Sequence, residues 1–179
     1  MKITFFYIIL VANILANGWQ EIHRAVYNED YQKIEQIISN NIDSVNDLTT
    51  TDLTPLHLAV KMRNFNLVEF FLKSGAEIDA QDKKGRTPLL YAISQRQTKL
   101  AKFLISNGAD YNLANNEGVS PLHQASYSGD IEIVKFLLNI GVKGNLGTKN
   151  GSTSYQIAIT RGNYRIADYL KFYNQSIKQ

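Results

Sequence analysis

The 179-residue chain has no cysteine, one tryptophan, two methionines and only three prolines. The missing cysteine excludes a disulfide framework and any thiolate metal site. It leaves the redox compartment open, because such a chain folds equally in an oxidising or a reducing space. Charge of one sign is also lacking. Nineteen basic side chains stand against sixteen acidic ones, for a net charge of +3. That excess is too small to point to nucleic acid. What remains is globular composition, 44% hydrophobic and 20% charged, in a length that suits one domain.

Long apolar runs are absent except at the N-terminus. Lys2 is followed by a nearly unbroken apolar stretch from Ile3 to Ala16, and Ala16-Asn17-Gly18 offers small residues at the two positions a signal peptidase reads. This layout predicts a secretory signal peptide over residues 1–18, with Trp19 as the first mature residue. The fourteen residues of this stretch would span about 21 Å as a helix, short of the roughly 30 Å of a bilayer core. The alternatives are an uncleaved anchor over 3–16, which would make the protein a membrane-tethered scaffold, or a helix buried against the first repeat. Cleavage leaves eighteen basic and sixteen acidic residues.

The scarcity of proline makes its spacing informative. Pro55, Pro88 and Pro121 lie 33 residues apart. Each sits in a matching sequence: Thr54-Pro55-Leu56-His57-Leu58-Ala59, Thr87-Pro88-Leu89-Leu90-Tyr91-Ala92 and Ser120-Pro121-Leu122-His123-Gln124-Ala125. One step further, Thr153-Ser154-Tyr155-Gln156-Ile157-Ala158 keeps the threonine and alanine without the proline. One step back, Ile22-His23-Arg24-Ala25 follows with one residue inserted in the next connection. Two glycine series keep the same beat: Gly75, Gly108 and Gly141, and Gly85, Gly118 and Gly151.

The chemistry of one period is readable. Proline is tolerated in the first turn of a helix, and the Thr or Ser before it is a natural N-cap. A first short helix therefore opens at each motif. A polar break follows, as at Ser128-Gly129-Asp130, and then a second helix with apolar residues at helical spacing, as in Ile133, Val134, Phe136, Leu137 and Leu138. Gly75, Gly108 and Gly141 suit the left-handed position that ends a helix. The segment Ala109–Gly118 reads as a hairpin-like turn. One such unit cannot bury both apolar faces, so the units must stack.

The motif Thr-Pro-Leu-His-x-Ala at this period resembles the ankyrin repeat. The resemblance implies an all-α repeat solenoid of paired short antiparallel helices joined by hairpin-like turns. It covers residues 19–174 in five repeats (19–48, 49–81, 82–114, 115–147 and 148–174), followed by a polar tail over 175–179. The first and last repeats are degenerate. Lys33 and Gln36 stand where the fourth repeat has Ile133 and Phe136, and Lys171 stands where it has Leu138. Polar residues belong on repeats that face water on one side.

Signals for chemistry are sparse. His23, His57 and His123 share one motif position, which predicts a ring bonded to backbone in the adjoining turn rather than a metal ligand or a general base. Rings one repeat apart, about 10 Å, cannot share one metal. Gly-x-Ser-x-Gly, His-Glu-x-x-His and phosphate-cradling glycine loops are absent. Glu29 and Asp30 read as solvated charge in a helix break. Phe65, Phe70, Phe71, Phe103 and Phe136 read as second-helix core. The sequence thus predicts a non-catalytic protein without cofactor or metal.

The resemblance also implies a concave binding face built from the turn tips and the exposed end of each first helix. Carried onto this chain, it gives Leu53, Lys61 and Met62; Lys83, Lys84, Arg86, Ser94 and Gln95; Asn116, Glu117, Val119, Tyr127 and Ser128; and Lys149, Asn150, Thr160 and Arg161. Lys61, Met62, Lys83, Lys84, Arg86, Gln95, Tyr127, Lys149 and Arg161 are the candidate contact residues. Six positive residues face one acid, Glu117, on the whole list. This predicts a basic face that steers an acidic protein partner, with Tyr127 and Met62 as apolar anchors. Arg63 and Arg96 occupy helix breaks that favour glycine, and they would extend the basic strip. The sequence-based expectation is an exported, monomeric protein-binding module.

Overall fold

A computed structural model describes residues 20–176. The apolar segment 1–18 and Trp19 lie outside the described residues, so the export signal and its alternatives remain expectations. Among the described residues the backbone forms ten α-helices and one 3-10 helix, with no strand beyond an isolated bridge between Gly147 and Thr153. No helix among them is long and apolar enough to cross a membrane. The chain divides into two compact units, with the boundary between Lys83 and Lys84.

The N-terminal unit contains α1 (Glu21–Tyr27), α2 (Tyr31–Asn40), the 3-10 helix (Ile42–Asn46), α3 (Pro55–Lys61) and α4 (Phe65–Lys73). Each α-helix after the first starts on a side-chain cap that satisfies an otherwise orphaned amide. The Asp30 carboxylate accepts from the Lys33 amide at 3.0 Å and the Asn64 side chain from the Leu67 amide at 3.1 Å. Thr54 Oγ accepts from the His57 amide at 3.2 Å, with Pro55 in the first helical position. α1 packs on α2 and α3, and α3 packs on α4. Ile22, Val26, Ile34, Leu56, Val60, Leu67, Val68 and Phe71 fill the interior without solvent exposure.

The degenerate first repeat differs at its exit. Gly75 ends α4 with φ +86°, whereas Asn41, one repeat earlier, is extended at φ −149°. The chain there enters the 3-10 helix instead of a left-handed cap, and this connection holds the inserted residue.

The C-terminal unit contains α5 (Pro88–Ser94), α6 (Thr98–Ser106), α7 (Pro121–Ser128), α8 (Ile131–Asn139), α9 (Ser154–Thr160) and α10 (Tyr164–Ser176). The first helices α5, α7 and α9 pack in a row, and so do the second helices α6, α8 and α10. Leu89, Ile93, Leu104, Leu122, Ile133, Leu137, Leu138 and Leu170 form the core between the rows. α9 starts without proline because Thr153 and Gln156 form a reciprocal capping box: Thr153 Oγ accepts from the Gln156 amide, and Gln156 Oε1 accepts from the Thr153 amide at 2.9 Å. α10 continues to Ser176, past the expected domain end at residue 174. Lys171 on it is exposed, as expected of a stack end.

The phenylalanines need a correction. Phe70, Phe103 and Phe136 do share one register and are half-buried. Phe71 lies one position on, fully buried, in the row that continues as Leu104, Leu137 and Leu170. Phe65 begins α4 and is 41% exposed, so it is not core. The half-buried row is covered by lysine: Lys102 lies 5.4 Å from the Phe136 ring centre and Lys135 lies 5.2 Å from that of Tyr169.

Candidate functional site

The surface that the sequence singles out begins at the turn tips. Asn115 donates its amide to the Val119 carbonyl at 3.1 Å, and Gly118 donates to the Asn115 carbonyl at 2.9 Å. Thr148 with Ser152 and Gly151 with Thr148 repeat the pattern at 3.0 and 2.8 Å. Closing so tight a turn requires a left-handed residue, which Gly118 and Gly151 supply at φ +76° and +75°. Asp52 supplies it at φ +58° in the N-terminal unit, where Thr49 pairs with Leu53 at 3.1 Å. Asp is among the few L-residues that tolerate this region.

Neighbouring tips are stapled through their backbones. In the N-terminal unit the Lys83 amide donates to the Thr51 carbonyl at 3.2 Å. In the C-terminal unit Asn116 donates to Lys84 and Lys149 to Glu117, each at 3.0 Å. A Cβ at Gly118 would sit 2.8 Å from the Lys149 nitrogen, so glycine there also admits the next tip. The backbone being committed inward, side chains are left to face solvent. Lys83, Lys84, Glu117, Lys149 and Asn150 are all exposed.

The row just before each N-cap behaves differently. Leu53, expected on the binding face, is buried at 9% exposure. Its carbonyl takes the His23 Nε2 at 3.0 Å, which draws this segment into the stack. Arg86 holds the same position one repeat on and is half-buried, its guanidinium 4.5 Å from the centre of the Tyr91 ring. This is the geometry of a hydrophobic staple, in which the residue before the cap folds back onto the fourth residue of its helix. Val119 in the same row is also half-buried.

At the far end of the first helices, Lys61 is exposed and Met62 is half-buried. Met62 caps the end of α3, in register with Gln95 and Arg161 at the ends of α5 and α9. It lines a shallow hollow of about 270 Å³ with Glu29, Arg63, Asn64, Phe65 and Asn66, at the turn into α4. Gln95 is half-buried and its Oε1 accepts from Gln97 Nε2 at 2.8 Å. Tyr127 is 50% exposed and carries the Arg161 guanidinium 4.1 Å from its ring centre. Ser152, Gln156, Ile157 and Thr160 complete a groove of about 220 Å³ around this pair.

The C-terminal unit therefore gathers Tyr127 and Arg161 in one groove, with Lys84, Glu117 and Lys149 on stapled tips. The Arg161–Tyr127 contact was not foreseen. The two residues are 34 positions apart, one more than the repeat, so comparison of equivalent positions does not pair them. Arg63 and Arg96 keep the glycine geometry at φ +59° and +55°. Glu29 holds the same left-handed place in the first repeat at φ +54°, next to the capping Asp30.

The histidines are structural. His123 Nδ1 accepts from the Ser120 amide at 3.2 Å and Nε2 donates to the Leu146 carbonyl at 2.9 Å, which ties α7 to the loop that follows α8. An unprotonated Nδ1 and a protonated Nε2 define the neutral tautomer. Burial lowers the His123 pKa against an opposing contribution from the Leu146 carbonyl. His23 is lowered by burial in the same way, against its bond to Leu53. His57 Nδ1 accepts from the Thr54 amide at 3.2 Å.

The family model for ankyrin repeats in three copies matches residues 22–115 and again 107–179. Among characterised proteins, the NAD-dependent deacetylase sir2B of Dictyostelium discoideum is 30% identical over 60 residues. That segment is 34% of this chain and only 8% of the Dictyostelium protein, so the chain spans a small fraction of that relative's length. Repeats of this family mediate protein–protein interaction and are typically non-catalytic. With its paired helices, stapled tips and 33-residue register, the chain belongs to the ankyrin-repeat family.

Proposed function

We propose that this protein is an exported, monomeric, non-catalytic binding module that holds an acidic protein partner on its turn tips and first-helix ends. The observation that carries the reading is the groove of Tyr127 and Arg161, which runs along α9 from Ser152, just before the Thr153 cap, to Arg161 at the helix end. An exposed ring that already carries a cation offers an apolar anchor and a carboxylate-seeking group at one point. Lys84 and Lys149 lie on the tips of the same unit, and Glu117 is the acid on the tip stapled between them. In the N-terminal unit Lys61 and Lys83 are also exposed. Arg86 contributes less, since Tyr91 holds its guanidinium. Leu53, being buried, does not contribute to the face.

Export rests on the sequence of residues 1–18; a tether over 3–16 is the alternative. N-terminal sequencing separates them: a chain beginning near Trp19 supports export, and Met1 retained in a membrane fraction supports the tether. The binding face is tested by site-specific photo-crosslinking. A benzoylphenylalanine at Gln95 or Thr160 should capture one acidic partner, and the same probe at Lys135 on the outer helices should not. Capture from Lys135 alone would overturn the assignment of the face.

A further inference from the structure

The left-handed turns that follow the first helices of the C-terminal unit carry a feature that this reading does not use. The tips precede the first helices, while the left-handed turns Arg96, Gly129 and Gly162 follow them. The eight residues of α7 set these two ends about 12 Å apart. Around the turns lies an open hollow of about 430 Å³, lined by Arg96, Gly129, Ile131, Gly162, Tyr164 and Arg165 among others. Its lining holds two arginines and no carboxylate.

We propose that this hollow is a second docking surface, for an acidic peptide segment with an apolar side chain beside its carboxylates. Charge complementarity carries the argument. Arg96 and Arg165 are exposed, and neither has an ion-pair partner among the described residues. The nearby acids are otherwise engaged or unpaired with them. Asp130 is buried, accepts the Thr98 hydroxyl at 2.6 Å and caps α8 through the amides of Glu132 and Ile133. Glu132 pairs with Lys102. Asp168, one helical turn past Arg165, makes no ion pair with it. The hollow therefore keeps its positive charge.

The apolar half of the surface is Tyr164, 65% exposed, beside the half-buried Ile131. A guanidinium binds a carboxylate through two parallel hydrogen bonds, which a peptide acid can satisfy. A neighbouring aromatic or aliphatic side chain can lie on the Tyr164 ring. The corresponding hollow of the N-terminal unit lacks this character, because Glu29 lines it beside Arg63. Arg96 also occupies a left-handed turn at φ +55° that Gly129 and Gly162 fill without strain.

The test is a titration of the ¹⁵N-labelled full chain with an acetylated, amidated Glu-Glu-Phe-Glu-Glu peptide. Inorganic phosphate at matched ionic strength serves as the second probe. Saturable shifts are expected at the amides of Gly129, Gly162, Tyr164 and Arg165, whether or not the peptide also moves those of Lys149 and Asn150 on the tips. Arg96→Gly suits the left-handed backbone and should fold at least as well as the parent. It and Arg165→Gln should each weaken peptide binding about tenfold, about 1.4 kcal/mol. The proposal fails if no shift appears, if shifts are confined to the tips, or if both variants bind like the parent. It fails too if phosphate reproduces the shifts with the same affinity, since any anion would then suffice.

Discussion

The Arg161 guanidinium lies 4.1 Å from the centre of the Tyr127 ring, joining the ends of two successive first helices across the groove between them. Both side chains are exposed, so the contact is worth about 0.5–1 kcal/mol. A double-mutant cycle of Tyr127→Ala and Arg161→Ala in urea should return a coupling energy of that size. Strictly additive losses would mean that the two side chains do not interact in solution.

A second expectation concerns proton linkage. In the folded chain burial holds His123 below its ordinary value of about 6.5. As pH falls past about 6.5 the unfolded chain takes up protons that the folded one resists, so the unfolded state binds more and stability falls. The loss should begin near the unfolded value and end at the lower folded one. His23 contributes in the same direction. The urea midpoint should drop between pH 7.5 and 5.5. His123→Gln should flatten that drop, because Gln156 already performs the capping role at the equivalent position. An unchanged pH dependence in this variant would remove His123 from the explanation.

Helix starts, helix ends and much of the core were legible because proline, threonine and glycine mark backbone positions that few other residues fill. Register with Gly129 marked the left-handed turns at Arg63 and Arg96, whereas those at Glu29 and Asp52 were not legible, since side chains there hide a geometry that glycine would have announced. The site was legible as a list of positions but not as contacts. Leu53 is drawn inward by the bond of its carbonyl to His23, and Arg86 by the Tyr91 ring it covers, contacts that position in the repeat does not announce. Arg161 reaches Tyr127 diagonally, and a periodic comparison aligns rows rather than diagonals.

Ser126 is fully buried and its hydroxyl has no hydrogen-bond partner among the described residues. Val60 and Ile93 hold the same position in earlier repeats and are equally buried. An unsatisfied hydroxyl costs about 1–3 kcal/mol, partly offset by the packing its oxygen provides. Ser126→Ala should therefore leave stability unchanged or raise it by up to about 1 kcal/mol. Leu137→Ala, in the same unit, removes a fully buried side chain and should cost about 2–5 kcal/mol. A destabilised Ser126→Ala would reveal a partner for the hydroxyl, such as a buried water.

Two glycines with nearly the same backbone should respond differently to alanine. Gly118 and Gly162 have φ +76° and +74°. A Cβ at Gly162 meets nothing within 4 Å, so Gly162→Ala should cost only the left-handed penalty, about 1–2 kcal/mol. At Gly118 the added carbon would press on the backbone of Lys149 and break the staple between tips. Gly118→Ala should lose more than Gly162→Ala and should increase hydrogen exchange at the Lys149 amide. Equal costs would place the requirement for glycine in φ alone.

The binding face makes kinetic predictions that separate charge from contact. If Lys83, Lys84 and Lys149 steer an acidic partner, association should slow as salt rises, because the screening length falls from about 10 Å at 0.1 M to about 3 Å at 1 M. Charge reversal at Lys83 and Lys84 should lower the on-rate more than it raises the off-rate. It should barely move the melting temperature, since the backbone amides rather than the ammonium groups staple the tips. Tyr127→Ala should do the reverse, leaving the on-rate near its parent value and raising the off-rate as the loss of an anchor does. Arg161→Ala should show both effects, because it removes a charge and uncovers the ring it carries. Surface-plasmon kinetics on the crosslinked partner measure all three variants. Parent-like on-rates in the double reversal at low salt would reduce the cationic tips to solvated surface.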